Sequence, residues 1–480
     1  MTAEAIDTKN QCVLCTLHGR SIPAPTDLPA VSTVFAKLDS PSILGGNTSV
    51  AESGRFSYWA AEPREVFEFR SGPGDPFGQL ERVLDRYRFS KGASSQPTLP
   101  DGMFRGGWIG WFGYELGRYI ERLPQTTTDD LAMPLIHLSF YDRLLAYDHQ
   151  RRTFWLIALA LPDDTESPES KMASLEQLLH ESRNVRPHRP RHVDMEHIDL
   201  SKARANMTKA DYLRAVERIK RYIRDGDVYQ VNFSQRFDRP FAGRAIDLFH
   251  WENRHNPSPY AAYLDAGEFQ IVSASPEMFV TVRDGAIRTK PIKGTRPRRV
   301  DDGSDEATNR RNLHDLLTDE KEQAELNMII DLERNDIAKI CRPGTRRVTQ
   351  PRTIETYPTV FHAVATVAGQ LRCDVGLTDI LKAVFPGGSI TGAPKIRAME
   401  IIDELEPTAR GVYTGSIGLL GLDGTVCLNI AIRTVIIAAH KAFVQTGGGI
   451  VADSDPEAEW EETITKARAL LAGIEAVQEP

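Results

Sequence analysis

The sequence has few cysteines, and nothing in it pairs them. Five occur in 480 residues, an odd number scattered along the chain, and one Cys-Val-Leu-Cys run stands alone without a second pair. A disulfide framework or a structural zinc site needs more such ligands at regular spacing. The composition therefore predicts reduced thiols and argues against a disulfide-stapled or zinc-bound fold. The five are Cys12, Cys15, Cys341, Cys373 and Cys427.

An excess of positive charge is also absent, as is any long apolar run. The formal net charge is −8, from 58 lysine and arginine residues against 66 aspartate and glutamate residues. A nucleic-acid-binding surface would be basic, and a spanning helix needs about 20 consecutive apolar residues. The polar start Met-Thr-Ala-Glu-Ala-Ile-Asp lacks the layout of a signal peptide. We expect a cytoplasmic globular protein that binds neither nucleic acid nor a membrane.

Complete nucleotide-binding motifs are missing as well. The stretch 386–395 begins like a P-loop, but Ala393 and Pro394 stand where that motif needs lysine and serine or threonine. The stretch 447–452 matches a dinucleotide motif in its letters only, because acidic residues follow where a helix should begin. Its consecutive glycine amides could still point at an anion. The Asp-Pro pair at 455–456 predicts the start of a helix, whose positive end would lie beside those glycines.

The chain divides by composition into three parts. Residues 1–160 carry short apolar runs broken by glycine and proline, which is typical of strands. Residues 161–206 change from acidic to basic, and we predict a linker there. From 207 to 475, hairpins alternate with helices, which predicts an α+β fold with antiparallel sheets. Predicted helices lie near 174–182, 315–331, 376–384, 394–405 and 456–473, and predicted strands near 412–420, 425–438 and 442–451.

The third part opens with a predicted helix and strand. Thr208 is a plausible N-cap for the helix. The strand 228–236 alternates, which predicts Tyr229 and Phe233 on a core face and Gln230 on the opposite, polar face. One side of this strand would then pack in the core while the other lines a polar site.

A predicted hairpin within 271–295 carries an acid and an amine. Asp284-Gly285 between two β-rich runs is a strong hairpin signal, because both turn positions need φ > 0. With a two-residue loop, Glu277 would lie opposite Ile292, one place short of Lys293, and the acid and the amine would fall on opposite faces. One bulged residue would restore a shared face, and a proline near each group is typical of such points. From these residues alone, a structural ion pair is the simpler interpretation.

Two predicted helices each carry a pair of glutamates three residues apart, on one helix face. Carboxylates that converge from two elements suit Mg²⁺, which takes oxygen ligands. A solvated charged face is the alternative, with Glu462 and Lys466 as a surface pair. Arg433 and Lys466 are cations that would suit a carboxylate substrate, so the candidate groups together indicate a small dianion. The glutamates are Glu322, Glu325, Glu459 and Glu462.

Residues from about 207 to 473 resemble the chorismate-binding domain shared by anthranilate, aminodeoxychorismate, isochorismate and salicylate synthases. Residues 1–160, with ESGR at 52–55 and GGWIGWF at 106–112, are similar to the N-terminal region of the first two. The resemblance implies an anthranilate synthase component I-like fold, with antiparallel sheets packed as a β-sandwich-like core with flanking helices. Seven motifs carry it in one order: GDVYQVNFSQR at 226–236, SPE at 275–277, PIKGTRP at 291–297, MIIDLERND at 328–336, PGGSITGAPK at 386–395, GVYTGSIG at 411–418 and GGGIVADS at 447–454.

The resemblance implies a role for each matched residue. Glu277 matches the general acid that assists departure of the C4 hydroxyl of chorismate. Lys293 matches the nucleophile that adds at C2, giving a covalent intermediate that ammonia opens at C4. Mg²⁺, held by Glu325 and Glu462 with the other two glutamates nearby, would clamp the ring carboxylate. The implied metal set is Glu322, Glu325, Glu459 and Glu462, and the implied substrate-binding set is Gln230, His362, Ser389, Tyr413, Arg433, Gly447, Gly448 and Lys466.

The implied chemistry carries expectations about protonation. A lysine nucleophile must be neutral to attack, so nearby cations should lower the pKa of Lys293. A raised pKa of Glu277 would match its role as an acid. Four cations near Lys293 in sequence would contribute if they also lie near it in space: Arg288, Lys290, Arg296 and Arg298.

Two positions distinguish the branches of the family. Lys293, within PIKGT, resembles the aminodeoxychorismate branch, because anthranilate synthases usually carry alanine there. Gln230 stands where isochorismate and salicylate synthases carry a lysine that activates water, and an amide cannot act as that base. The resemblance therefore implies nitrogen transfer toward folate, with ammonia from a separate glutaminase partner, since no Cys-His-Glu glutaminase constellation is evident. Anthranilate synthesis and a non-catalytic, ligand-sensing scaffold are the alternatives.

Overall fold

The computed structural model describes residues 12–23, 27–46, 54–90, 98–299 and 305–478. Glu52 and Ser53 of the ESGR motif lie outside the described residues. The α-helices of the described part are α1 (Leu28–Phe35), α2 (Pro76–Leu84), α3 (Pro168–Ser182), α4 (Lys209–Arg224), α5 (Ala245–His255), α6 (Asp305–Thr318), α7 (Glu320–Ala338), α8 (Leu377–Val384), α9 (Lys395–Leu405) and α10 (Pro456–Ala476).

The strands of the described part are mostly short. They are β1 (Val13–Pro23), β2 (Ser42–Leu44), β3 (Phe56–Ala60), β4 (Glu65–Phe69), β5 (Tyr87–Phe89), β6 (Gly107–Phe112), β7 (Ile136–Tyr141), β8 (Arg143–Asp148), β9 (Thr153–Ala160), β10 (Arg204–Ala205), β11 (Gln230–Pro240), β12 (Tyr260–Asp265), β13 (Gln270–Ser275), β14 (Met278–Arg283), β15 (Ala286–Lys290), β16 (Ile292–Pro297), β17 (Arg347–Thr356), β18 (Val360–Gln370), β19 (Gly392–Ala393), β20 (Ser416–Gly421), β21 (Val426–Asn429), β22 (Thr434–Ala438) and β23 (Lys441–Ile450).

These strands form two sheets. The larger sheet has the order β10-β11-β23-β22-β13-β12-β2-β3-β8-β9-β1-β5, with β19 on β11. The smaller sheet has the order β16-β18-β15-β14-β21-β20-β6-β7-β4, with β17 on β18. Successive residues of a strand point to opposite faces, so neighbouring residues of β13 pack in different cores. Ile271 lies in the main core, and Val272 packs in a second core with residues of α1, α3, α5 and α10. The predicted α+β fold with antiparallel sheets and flanking helices is confirmed.

In both sheets, strands that precede the predicted linker pair with strands that follow it. In the larger sheet β2 pairs with β12, and in the smaller sheet β6 pairs with β20. Residues 1–160 and 207–475 therefore contribute strands to the same two sheets. Within 161–206 the helix α3 begins earlier than predicted, because Ser167 caps it and Pro168 occupies its first position, and it packs against β9.

Glycines of β6 and β20 allow neighbouring strands to approach closely. Gly110 of β6 lies opposite Gly418 of β20. A Cβ at Gly110 would stand 1.8 Å from the carbonyl oxygen of His137, and one at Gly418 would stand 1.9 Å from that of Cys427. Any side chain at either position would collide with backbone, which cannot move without breaking its ladder.

The hairpin of β14 and β15 forms as predicted. Asp284 and Gly285 both have positive φ, at 50° and 71°, as a two-residue turn of this kind requires. The pairs next to the turn follow the predicted register, with Arg283 opposite Ala286. The capping box at Thr208 is also present at the start of α4.

Three local predictions were wrong. The helix predicted over 315–331 is two helices, because Asp319 caps a new one with its side chain. The strand predicted over 425–438 is broken into β21 and β22, which belong to different sheets. Tyr229 is 72% exposed rather than in the core, because it precedes the first residue of β11 and alternation does not extend to it.

All five cysteines of the chain lie in the described part and are unpaired there. No described helix combines the length and apolar character that crossing a membrane requires.

The close glycine pairing leads to a stability prediction. We expect Gly110→Ala to lower the free energy of unfolding by roughly 1–3 kcal/mol, because the added methyl overpacks the ladder. Thermal unfolding followed by circular dichroism measures this. Gly72→Ala is the matched control, since nothing lies within 4 Å of a Cβ there. Equal thermal midpoints for the two variants would contradict the prediction.

Candidate active site

The candidate site lies where two segments cross between the larger and the smaller sheet. The first runs from β13 to β14 through Glu277, and the second connects β21 and β22 through Arg433. Hydrogen bonds join the two crossings: the Ser275 hydroxyl donates to the Ile430 carbonyl at 2.5 Å, and the Ile430 amide donates to the Glu277 carbonyl at 3.0 Å. The Ala274 amide likewise donates to the Arg433 carbonyl at 3.0 Å. The crossings therefore hold an acid and a guanidinium at fixed positions between the sheets.

A bulge in β14 corrects the hairpin offset, as predicted. Thr281 pairs with Arg288, but Met278 pairs with Lys290, so β14 has one extra residue between these points. Continued past its last pair, this register would give Glu277 and Lys293 the same parity and place them on one face. A second irregularity follows Ile292 in the pairing of β16 with β18.

Burial dominates the electrostatics of the acid and the amine. It raises the pKa of Glu277, against the lowering effects of the Ser389 hydroxyl, Lys293 and Arg433. It lowers the pKa of Lys293, and Lys466 adds to that effect, while Glu325 and Glu277 oppose it. The Lys293 Nζ donates to the Ser389 carbonyl at 3.4 Å, and Glu277 Oε1 is buried without a hydrogen-bond partner among the described residues. The structure thus brings Glu277, Lys293 and Ser389 together.

The four cations expected to depress the pKa of Lys293 do not do so. Burial and the charge of Lys466 lower the pKa of Lys293 instead. Lys290 pairs with Glu355, Arg296 pairs with Asp319 and Glu322, Arg298 donates to the carbonyls of Tyr357 and Pro358, and Arg288 is exposed.

Arg433 has a backbone conformation that is rare for its residue type. Its φ is +50°, a left-handed geometry that few residues other than glycine adopt. Burial lowers the pKa of its guanidinium, against Glu252, Tyr357 and Glu277. This half-buried guanidinium forms no ion pair with the described residues, and it suits a carboxylate ligand, to which it can donate two parallel bonds.

Three more of the predicted substrate contacts are buried polar side chains: His362, Gln230 and Tyr413. His362 of β18 bonds through Nδ1 to the Thr295 hydroxyl at 2.8 Å, and burial lowers its pKa to about 3, so the ring is neutral. Its Nε2 and both amide atoms of Gln230 are buried without a hydrogen-bond partner among the described residues. Tyr413 is buried next to Arg410, with the Arg410 guanidinium 5.8 Å from its ring centroid.

The glycine run is not the amide nest that we expected. Gly447 and Gly448 lie inside β23, paired with Ser234 and Phe233 of β11. In an extended strand successive amides point to opposite edges, so they cannot converge on one anion. The helix start at Asp455 and Pro456 is confirmed, with the Asp455 side chain accepting from the Ala458 amide.

Gly448, which has no side chain, instead leaves room for two carboxylates of α10. A Cβ at Gly448 would stand 3.0 Å from Glu459 Oε2 and 3.8 Å from Glu462 Oε1. Lys466 donates to the Gly447 carbonyl at 2.9 Å and pairs with Glu462 at 2.7 Å, the surface pair of the alternative interpretation. The first turns of α10 therefore lie directly against β23.

The glutamate pairs repel one another. Burial raises the pKa of Glu325, Lys293 and Lys321 lower it, and Glu322 and Glu462 raise it. Burial also raises the pKa of Glu459, and Glu462 adds to this. Mutual repulsion of carboxylates is a condition that a divalent cation relieves.

The chemistry of this donor set fits Mg²⁺, which commonly takes one or two carboxylates and completes its shell with water and substrate. Glu322 Oε2 is buried without a hydrogen-bond partner in the described part of the chain, although its other oxygen pairs with Arg296 at 2.7 Å. No group of three or more His, Cys, Asp or Glu side chains in the described residues is spaced to hold an ion by itself. Magnesium binding stays a prediction.

The sequence argument missed the buried charges beneath the site. Arg410 and Glu406 form an ion pair there, and Glu252 is buried with its pKa raised to about 8 by desolvation. Arg410 directly precedes the GVYTG motif, so its position beside a matched motif was the available signal. Nothing in the sequence around Glu252 distinguishes it from a surface glutamate.

Comparison with known proteins agrees with this geometry. The model of the chorismate binding enzyme family matches residues 48–472. Anthranilate synthase component 1 of Pseudomonas aeruginosa is 42% identical over 83% of this chain and 80% of its own. Aminodeoxychorismate synthase component 1 of Bacillus subtilis is 41% identical over 89% of this chain and 91% of its own.

A solved structure of a protein in this family also resembles the chain in fold and sequence. Anthranilate synthase component I from Streptococcus pneumoniae superposes with a TM-score of 0.75 at 34% identity, covering 88% of this chain and 93% of that one. The match to the family model includes strands of both sheets and every residue of the site described above. The chain therefore belongs to the chorismate-binding enzyme family and is an enzyme that uses chorismate.

Proposed function

We propose that this chain is component 1 of an aminodeoxychorismate synthase, which converts chorismate and ammonia to 4-amino-4-deoxychorismate and water on the way to folate. The observation that carries the proposal is the amine of Lys293 beside the buried acid Glu277. An enzyme that only had to add ammonia or water directly would have no use for a primary amine at this point. Gln230 supports nitrogen rather than water as the incoming group, because its amide cannot deprotonate water.

The buried pair favours the protonation states that this chemistry needs. With ordinary pKa values of 4.5 and 10.5, a protonated Glu277 and a neutral Lys293 would coexist in roughly one molecule in a million at pH 7. Burial raises the first pKa and lowers the second. It thereby favours the neutral acid and the neutral amine over the ion pair.

The proposed reaction proceeds in two displacements. The Lys293 nitrogen adds at C2, the ring double bonds shift, and the C4 hydroxyl leaves as water with the proton of Glu277. Ammonia then adds at C4, the double bonds shift back, and the bond between C2 and Lys293 breaks. The amine returns to its free form, and the proton released by ammonia restores Glu277.

The cationic and buried polar groups would orient the dianion. Arg433 and Lys466 supply positive charge for the carboxylates, and the Tyr413 hydroxyl supplies a further hydrogen bond. The neutral His362 would contact the ring without adding charge. Ser389 and the strand at Gly447 and Gly448 would complete the walls.

Mg²⁺ would be held by Glu325 and Glu462, with Glu322 and Glu459 nearby, and when bound it would neutralise the ring carboxylate of chorismate. The repulsion among these carboxylates supports this proposal. The relatives are named component 1, which supports a second component, and we propose a glutaminase that supplies ammonia.

Anthranilate synthesis is the second candidate. Its support is that relatives of that name are as similar to this chain as those named aminodeoxychorismate synthase, at 42% and 41% identity. It would release pyruvate and a fluorescent aromatic amine, whereas aminodeoxychorismate keeps the enolpyruvyl group. Product identity therefore separates the two functions.

The direct test is one incubation with chorismate, Mg²⁺ and ammonium. We expect 4-amino-4-deoxychorismate by mass spectrometry, without release of pyruvate. Anthranilate with pyruvate would establish the second candidate instead. No conversion of chorismate by folded protein would overturn both.

Lys293→Ala is the matched variant for this test. It should eliminate the covalent adduct seen by intact-protein mass spectrometry and shift amination toward C2, because ammonia must then attack directly. Undiminished amination at C4 would show that the lysine is not the nucleophile.

Chelation gives a prediction for the metal. Dialysis against EDTA should abolish turnover, and Mg²⁺ should restore it. Glu462→Gln should raise the Mg²⁺ concentration for half-maximal rate by at least about tenfold, because it removes one charged ligand. Glu461→Gln, one residue away and exposed, is the control and should keep the original requirement.

The depressed pKa of Lys293 can be measured without substrate. Only the neutral amine reacts with acetic anhydride, so acetylation of Lys293, followed by peptide mass spectrometry, should reach half its maximal rate at a lower pH than that of a lysine in a short model peptide. Glu325→Gln should move the midpoint of Lys293 lower still, because this carboxylate stabilises the ammonium form. An upward movement would contradict the electrostatic account.

A further inference from the structure

Beneath the candidate site lies a buried ion pair that the proposed mechanism does not use. Arg410 and Glu406 have side chains that are each 1% exposed. Two parallel bonds join them, from Arg410 Nη2 to Glu406 Oε1 at 2.6 Å and from Nε to Oε2 at 2.9 Å. The pair lies just after α9, within the interior shared by the two sheets.

The remaining donors of the guanidinium reach three separate segments. Nη2 also donates to the Asn232 carbonyl of β11 at 2.7 Å. Nη1 donates to the Ile390 carbonyl at 3.1 Å and to the Thr414 hydroxyl at 3.1 Å. One planar group with donors at fixed angles thereby spaces three pieces of backbone that are distant in sequence.

Each of these segments carries a predicted substrate contact. Asn232 is two residues from Gln230, Ile390 follows Ser389, and Thr414 follows Tyr413. Ser389 is also the residue whose carbonyl accepts from Lys293 Nζ. A shift of the guanidinium would therefore displace several of the predicted substrate-binding residues at once.

Residues from before and after the predicted linker contact this pair. Glu406 Oε1 accepts from the amide and hydroxyl of Ser234 at 2.9 and 2.7 Å. Glu115 accepts from the backbone amides of Arg410 and Gly411 at 2.7 and 3.0 Å. The ring of Tyr114 lies 4.7 Å from the guanidinium carbon.

We propose that Arg410, held by Glu406, is a positioning residue for the chorismate reaction. It fixes Ser389 and Tyr413 relative to Lys293 and so keeps the amine aligned with C2 of the substrate. This inference rests on the proposed use of Lys293. Fold stability is a weak alternative explanation for the pair, since apolar residues of similar size often replace a buried ion pair without loss of stability.

A double variant separates positioning from stability. Arg410→Met with Glu406→Leu removes both charges together, so no unpaired charge is left in the interior. We expect a thermal midpoint close to that of the unmodified protein and a fall in kcat for chorismate consumption on the order of 100-fold, because small misplacements of reacting groups cost about that much. Full kcat in the stable double variant would overturn the proposal.

The matched control is a second ion pair that also involves β11. Arg239 and Glu475 form a pair at 2.6 Å at the far end of β11, and Arg239→Met with Glu475→Leu should keep the original kcat. An equal loss there would overturn the assignment, because loss would then follow removal of any ion pair that contacts β11.

A single variant covers the case in which the double variant does not fold. Arg410→Lys keeps the charge opposite Glu406 but loses the planar set of donors, and we expect at least about a tenfold fall in kcat; an unchanged kcat would overturn the proposal. The unmodified protein is assayed first. Failure of the proposed function shows there as a missing product, whereas failure of this inference shows as active variants.

Discussion

The site depends on burying a carboxyl and an amine together at the point where strands change sheets. Burial disfavours the charged form of each group, so the acid is driven toward its protonated state and the amine toward its neutral state. An exposed pair would be a weak surface ion pair with both charges retained. In the proposed reaction these neutral forms are the reactive ones. The proposed reactivity would therefore follow from the burial of Glu277 and Lys293.

That depth follows from the architecture. A strand that stays in one sheet presents side chains to one core or to the other, but a chain that crosses between sheets delivers residues to the space between them. Glu277 and Arg433 both lie on such crossings, and hydrogen bonds between the crossings fix their separation. The close glycine ladders of β6 and β20 and the buried pair of Arg410 and Glu406 keep the surrounding elements in register.

Much of this could be predicted from the sequence, because the controlling rules are local. The turn at Asp284-Gly285, the cap at Thr208 and the start of the last helix each depend on a few adjacent residues, and each prediction was confirmed. The bulge was predictable because a two-residue loop sets a register that two prolines cannot follow. Tyr229 and the break within 425–438 were not, since alternation does not report where a strand begins or which sheet it joins.

The sequence by itself determined the residue types of the site, the hairpin that carries them and, through ordered motifs, membership of the family. Only the tertiary structure decided which charges act on one another. Of the cations near Lys293 in the chain, Lys290, Arg296 and Arg298 bind other partners and Arg288 is exposed, while Lys466, from the last helix, affects the pKa of Lys293. Electrostatic effects depend on distance and burial in space, and the separation of two residues along the chain sets neither.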